Sequence, residues 1–267
     1  MSQLAVTGYA VHVPALGGEG VCDAEHAATL LGRKGLLAKD QATRLALCAV
    51  HRALGRPPLA PRPDGPPDPG VAVVVSSNLG NVSTVAAVAR LLRTDGPRAV
   101  SLLDAPNASS NVIAGAIAIW FRFSGPNFTV CSGATAGLDA VWLAGLLLRA
   151  GRARQVVVVG TEPDDPDAAA LQAARAGVDP PVPLRAGAAC LLLCRPADAS
   201  APLAMLRTSA DPALPGSVAR GYGESVSDHY GAAGVIDTAL AVAAGMPTRV
   251  VCGDSEDGWR ELWVSQP

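Results

Sequence analysis

Cys131, Asp228 and His229 are the residue types from which a nucleophilic site can be built. A thiolate attacks a thioester once a base or a positive field lowers its pKa, and a carboxylate can orient that base. Cys131 itself lies on the strand side of a turn, away from the helix start that would favour a thiolate. Gly125-Pro126-Asn127-Phe128-Thr129-Val130-Cys131-Ser132-Gly133-Ala134-Thr135-Ala136-Gly137 reads as a short strand, a tight turn of small residues and the start of a helix. Backbone N–H groups at a helix start favour an anion, whether a thiolate or the oxygen of a carbonyl under attack. Nothing in the spacing shows that the Cys, His and Asp converge. His12, His26 and His51 follow a strand or sit on helices, and read as surface or satisfied core residues.

The elements that must position these residues are legible from pattern. Leu4–Val13 reads as a strand and Asp23–Leu31 as a short helix with Asp23 as its cap. Asp40 caps a clearer helix, in which Ala42, Leu45, Ala46, Ala49, Val50 and Leu54 recur at helical spacing until Gly55. Seven prolines between Arg56 and Gly70 mark a surface loop. Val71–Val75 is an uninterrupted apolar run, hence a buried strand. Helices are expected over Val82–Leu92, Asn107–Phe121, Thr135–Ala150 and Gly231–Ala244, the last closed by Gly245. Strands are expected at Phe128–Cys131, Gln155–Val159, Ala186–Leu193 and Leu203–Arg207, with a closing hairpin of Arg249–Cys252 and Glu261–Val264. This alternation predicts an α/β protein with a largely parallel sheet covered on both faces. Pro196–Ser227 is polar, dotted with glycine and proline, and mostly hard to fit to regular structure.

Composition narrows the function classes. The chain has 267 residues, 49% of them hydrophobic and 4% aromatic, so the core is close-packed Ala, Val and Leu. A net charge of −2 and the lack of any Lys/Arg run argue against nucleic acid or an anionic membrane as partner. The six cysteines form no C-x-x-C pair and mostly lie in apolar runs, against a zinc site or a disulfide framework. No cofactor and no metal are expected. The N-terminal residues lack a basic start and a long apolar stretch, and no run is long enough to span a bilayer, so a cytoplasmic location is expected.

An ordered ladder of segments resembles the β-ketoacyl synthases. Val6-Thr7-Gly8-Tyr9-Ala10-Val11 is similar to that family's opening strand and turn, and Ala42-Thr43-Arg44-Leu45-Ala46-Leu47-Cys48-Ala49-Val50 to its early helix. Gly125-Pro126 followed by small residues resembles its nucleophile region, and Val156-Val157-Val158-Val159-Gly160-Thr161-Glu162 the strand after it. Gly187-Ala188-Ala189-Cys190-Leu191-Leu192-Leu193 and Gly231-Ala232-Ala233-Gly234 resemble later segments. The resemblance implies a thiolase-like layered αβαβα fold in one ketosynthase-like domain over 1–267. Residues 1–197 would be a largely complete first half, and 198–267 an abbreviated second half.

The family's condensing chemistry needs a cysteine at a buried helix start and two histidines. Counting from Gly125-Pro126, the nucleophile position falls on Ala134, and a methyl group forms no thioester. In a shifted register Cys131 would take that place. The family's His-Gly-Thr-Gly-Thr string is absent, and the second-histidine position falls on Asp228 or, with a one-residue gap, on His229. The resemblance therefore points to the chain length factors, the non-condensing partners of ketosynthases in type II polyketide systems, including polyene systems.

The role implied by that resemblance is structural. The chain would pair with a catalytic ketosynthase, as a heterodimer or heterotetramer, through the strand Asn127, Phe128, Thr129, Val130 and Cys131. It would receive a phosphopantetheine-linked chain on an acyl carrier protein. Asn107, Ser110, Ile113, Ile117 and Trp120 would border the acyl tunnel, with Trp120, Phe121 or Phe123 as a stop. The alternatives are a thioesterase- or isomerase-like enzyme using Cys131 and His229, and a scaffold that docks an acyl carrier protein through Arg90, Arg93, Arg98, Arg149, Arg152 and Arg154.

Overall fold

The computed structural model describes residues 2–14, 25–101, 105–175, 183–208 and 229–267. Its strands are β1 (Ser2–His12), β2 (Val71–Ser76), β3 (Asn127–Val130), β4 (Gln155–Glu162), β5 (Gly187–Cys194), β6 (Ala204–Thr208), β7 (Thr248–Asp254) and β8 (Gly258–Ser265). Its helices are α1 (Ala27–Leu31), α2 (Gln41–Ala53), α3 (Val82–Thr94), α4 (Val112–Phe121), α5 (Ala136–Arg149), α6 (Pro166–Ala173) and α7 (Ala233–Ala244). The strands form one eight-stranded sheet in the order β3-β2-β4-β5-β1-β6-β8-β7.

The sheet is not largely parallel. Only β2 pairs in parallel, with β3 and with β4. The β4–β5, β5–β1, β1–β6, β6–β8 and β8–β7 pairings are antiparallel. Parallel neighbours need a helical crossover, and α3, α4 and α5 supply crossovers only around β2, β3 and β4.

β2 alternates its two faces between two cores, as a strand buried on both sides must. Val71, Val73 and Val75 pack with α1, α2 and α4, together with Val157, Val159 and Cys190. Ala72 and Val74 pack with α5 and α7, together with Val156, Val158, Leu191 and Leu193. That second core also holds Val250, Leu262 and Val264 from the far end of the sheet. α7 touches β4, β5 and β1, and also β7 and β8. In a flat sheet β4 and β7 would lie roughly 24 Å apart, beyond the span of one helix about 10–12 Å wide. The sheet therefore folds over α5 and α7. β1 makes the corner: Ser2–Val6 pair with β6, Ala5–His12 pair with β5, and the register slips between Val6 and Gly8. Helix, sheet, helix and sheet follow one another through the described residues.

Local chemistry sets the element ends. The Asp40 carboxylate accepts from the Thr43 N–H at 2.9 Å and starts α2 as expected. Gly245 closes α7 in the left-handed conformation, φ 64°. The helix expected over Asn107–Phe121 begins only at Val112, after a short 3-10 turn at Ala105–Ala108. The Asn81 side chain takes the carbonyls of Asn107 and Ser109, which a longer helix would have used itself. α6 has no counterpart in the sequence expectations, although Asp165 caps it and Pro166 opens it. Asp23 and most of Pro196–Ser227 lie outside the described residues.

Candidate functional site

The heads of α5 and α7 meet beside the C-terminal ends of β2, β3 and β4. Both helices are entered through a 3-10 turn, Gly133–Thr135 and Tyr230–Ala232. They approach so closely that only glycine fits. A Cβ on Gly137 would lie 2.8 Å from Gly234 Cα, and one on Gly234 would lie 2.9 Å from the Leu138 nitrogen.

Glu162, at the end of β4, is fully buried and organises the ground beneath these heads. Its carboxylate accepts from the backbone N–H of Asn78 at 2.6 Å, from that of Leu79 at 3.0 Å and from the Ser77 hydroxyl at 3.2 Å. A buried carboxylate needs such donors. The loop it holds aims Asn78 at the α5 entrance, where the Asn78 side chain accepts from the Gly133 N–H at 3.2 Å and donates to the Gly133 carbonyl at 2.9 Å. Gly133 sits at φ 68°, so the turn delivers Ala134 to the start of α5.

The Ala134 N–H does not face an empty pocket. It donates to Asp257 Oδ2 at 2.8 Å, and Asp257 belongs to the β7–β8 turn. Arg175, just after α6, donates to Asp257 at 2.8 Å and to Asp254 at 2.6 Å. Its guanidinium lies 4.0 Å over the Tyr230 ring. Burial works against the Arg175 charge, but Asp254, Tyr230 and Asp257 outweigh it and raise its pKa. For Asp254 burial opposes ionisation; hydrogen bonds from the Asp257 N–H and Arg175 prevail, and its pKa is lowered. Burial pushes the Tyr230 phenol up to about 12. Asn78, Cys131, Gly133, Arg175, Tyr230 and Asp257 line an open cleft of about 600 Å3.

Asp139, in the first turn of α5, supplies a second carboxylate. It accepts from Ser132 at 2.6 Å, from Thr135 at 2.7 Å and from Arg260 at 2.9 Å. Two acidic groups thus satisfy the positive end of this helix.

Cys131 lies on the wall of this cleft, with its Sγ donating to the Ser77 carbonyl at 3.1 Å. Partial burial, and then the Glu162 charge, raise its pKa, the reverse of what a nucleophile needs. His229 Nδ1 lies 3.0 Å from the Arg185 carbonyl, near Gly187 at the start of β5. Asp228 is outside the described residues. Ile113, Ile117 and Trp120 are buried in the core shared with α2, and Arg62 stacks over Trp120 at 3.4 Å. Phe121 and Phe123 stack on each other at 5.9 Å. Asn107 is half-buried and donates to the Ala38 carbonyl at 3.2 Å, while Ser110 is exposed. Asn127 and Thr129 are tied to Asn111 at 2.6 and 2.8 Å, which fixes β3 to the start of α4. Arg90 pairs with Asp167 at 3.0 Å, and Arg154 pairs with Asp68. Arg93, Arg98, Arg149 and Arg152 are exposed.

The residues that sequence reasoning missed are Asn78, Glu162, Arg175, Asp254 and Asp257. Glu162 carried a signal, a charge ending a run of valines that must be buried. Asp254 and Asp257 lie between the two strands expected for the closing hairpin, and Arg175 is joined to Asp257 across 82 positions without any motif. Among the described residues no cluster of His, Cys, Asp and Glu is arranged to hold a metal ion. No helix among them is long and apolar enough to cross a membrane.

Known proteins share both sequence and fold with this chain. The family described as "Beta-ketoacyl synthase, N-terminal domain" matches residues 17–183. The 3-oxoacyl-[acyl-carrier-protein] synthase 2 of Rhizobium meliloti (strain 1021) is 31% identical over 90 residues, which are 34% of this chain and 21% of that protein. The match thus spans about a fifth of that relative's length. Among solved structures, "The ishigamide ketosynthase/chain length factor" aligns with 98% of this chain and 99% of its own, at a TM-score of 0.76 and 22% identity. A type II polyketide synthase acyl-carrier protein in complex with its ketosynthase, AntDE:AntF, aligns over 99% of both chains at a TM-score of 0.69 and 14% identity.

Proposed function

Since the chain belongs to the β-ketoacyl synthase family and has its thiolase-like fold, we propose that it is a non-condensing chain length factor. It pairs with a catalytic ketosynthase of a type II polyketide system and shapes the tunnel for an acyl chain delivered by an acyl carrier protein. The observation that carries this reading is Ala134. It stands at the head of α5, on the turn where a condensing enzyme of this family needs its thiol, and offers a methyl group.

Two further features support a partner. β3 ends the sheet, and among the described residues its outer edge pairs with no strand. Such an edge invites a second chain. Beside it stand exposed Phe128 and, on α4, Ile119 at 81% exposure. The solved relative named a ketosynthase/chain length factor, and the one named a ketosynthase in complex with its acyl-carrier protein, suggest the kinds of partner. A site at Cys131 is disfavoured, because its thiol is turned to a carbonyl and its thiolate is opposed by partial burial and then by Glu162.

The test is co-expression of this chain with a candidate ketosynthase encoded beside it. A one-to-one complex that survives gel filtration is expected, and Phe128→Glu should break it. A well-behaved monomer that ignores the ketosynthase would sink the reading.

A further inference from the structure

The missing thiol is only half of the lost condensing chemistry at the α5 head, because the backbone donor beside it is also occupied. We propose that the acidic β7–β8 turn is a built-in plug, in which Asp257, clamped by Arg175, excludes a thioester oxygen from the Ala134 N–H. The chain carries its own anion in the place where an acyl oxygen would have to sit.

Four observations converge on this. The Asp257 carboxylate is the acceptor of the Ala134 N–H, at 2.8 Å. It is packed against the turn so tightly that any Cβ on Gly133 would collide with it. The turn is self-organised, since Asp254 Oδ1 accepts the N–H groups of Glu256 at 3.0 Å and Asp257 at 2.8 Å. Arg175 is 13% exposed and bridges both aspartates while stacked on Tyr230, so it locks the turn to the cleft wall. Glu256 lies 3.9 Å from the same guanidinium. One cation therefore faces three carboxylates, and excess negative charge stays at the head of the helix. A helix start that favours anions already has one.

The consequence is that the α5 head is disabled twice. Ala134 removes the attacking atom, and Asp257 takes the donor that would stabilise the oxygen under attack. Restoring the thiol would not restore its reactivity while the carboxylate remains within a few ångströms. The plug is independent of the partner reading, because it consists only of contacts inside this chain.

The experiment compares Ala134→Cys with Ala134→Cys/Asp257→Asn, both in a Cys131→Ser background that silences the exposed native thiol. Iodoacetamide alkylation at position 134 is followed by peptide mass spectrometry across pH. Removing the carboxylate should speed alkylation near neutral pH by about tenfold, through a fall of about one unit in the apparent thiol pKa. Arg175→Met, which leaves the carboxylate without its cation, should give no such gain. Equal rates with and without Asp257 would overturn the proposal. Should the thiol variants fail to fold, hydrogen exchange at the Ala134 amide decides. Asp257→Ala should accelerate it by about tenfold while amides in the middle of α5 keep their protection; unchanged exchange would refute the plug. Neither measurement involves a ketosynthase, so the result stands apart from the fate of the partner reading.

Discussion

The heads of α5 and α7 are two versions of one device. Each is a three-residue 3-10 turn feeding a buried helix, and each helix carries an aspartate, Asp139 in the first turn of α5 and Asp237 one turn inside α7. Their electrostatics are opposite. Asp139 receives Ser132, Thr135 and Arg260, and its helix also holds the Asp257 carboxylate at its N–H end. Asp237 has no hydrogen bond or ion pair among the described residues, and burial pushes its pKa up to about 7. Asp237 lies one turn inside α7, beyond the reach of the helix end, and desolvation dominates there. The α5 head faces the cleft and was built for charge; the α7 head serves as packing against it.

The most severe way to break this pairing is to force the heads apart. In Gly234→Val the new Cβ would meet the Leu138 nitrogen at 2.9 Å and Cys252 Sγ at 3.0 Å, neither of which can yield cheaply. A loss of about 3 kcal/mol or more in urea unfolding is expected, as for other overpacked core positions. A Gly234→Val protein as stable as the wild type would mean that the two helices are free to slide.

The pairing also shows where sequence reasoning reaches. Val71–Val75 and Gln155–Val159 were legible as strands because a segment buried on both faces leaves no polar positions. Asp40 and Gly245 were legible because caps act within one turn. The turn after Gly125-Pro126 was legible as the entry to a helix because its small residues suit a tight turn. Antiparallel pairing of β5 with β4 was not legible, since α6 and its flanks separate them and no local rule fixes the direction of return. The start of α4 was misread because Asn81, far along the chain, takes the carbonyls at its head. Asp257 was invisible as a site residue for the same reason: it meets Ala134 across 123 positions.

Neutralising the unpartnered carboxyl sharpens the contrast. A raised carboxyl pKa means that the folded state keeps its proton over a range where the unfolded chain has lost it. Stability is then unaffected below the unfolded value, about 3.9, falls as pH rises, and carries the whole penalty above about 7. Asp237→Asn should accordingly stabilise the protein by about 2 kcal/mol near pH 8 and by almost nothing near pH 3.5, after allowing for relaxation around the charge. Thermal melts at the two pH values check it. A gain of equal size at both would show that packing, and not ionisation, limits the α7 head.

The smallest expected effect tests the α5 head in the opposite sense. Arg175→Met keeps the stem that covers Tyr230 but removes the cation held between Asp254 and Asp257. Because Asp254 has a pKa below the ordinary carboxylate value, its contribution is present above about pH 4 and fades as pH falls through the depressed folded value. The variant should be destabilised by about 1 kcal/mol near neutrality, where Asp254 is charged and lacks its partner. The gap should close as the solution is acidified below about pH 4, since a protonated Asp254 needs no cation. This is the reverse of the Asp237 profile. Two carboxyls near the heads of adjoining helices would then respond to acid with opposite signs, which a shared helix-dipole effect cannot produce. If the Arg175→Met deficit instead stayed constant down to low pH, the guanidinium would be acting through its contact with Tyr230, and the charge balance of the turn would have no hold on the α5 head.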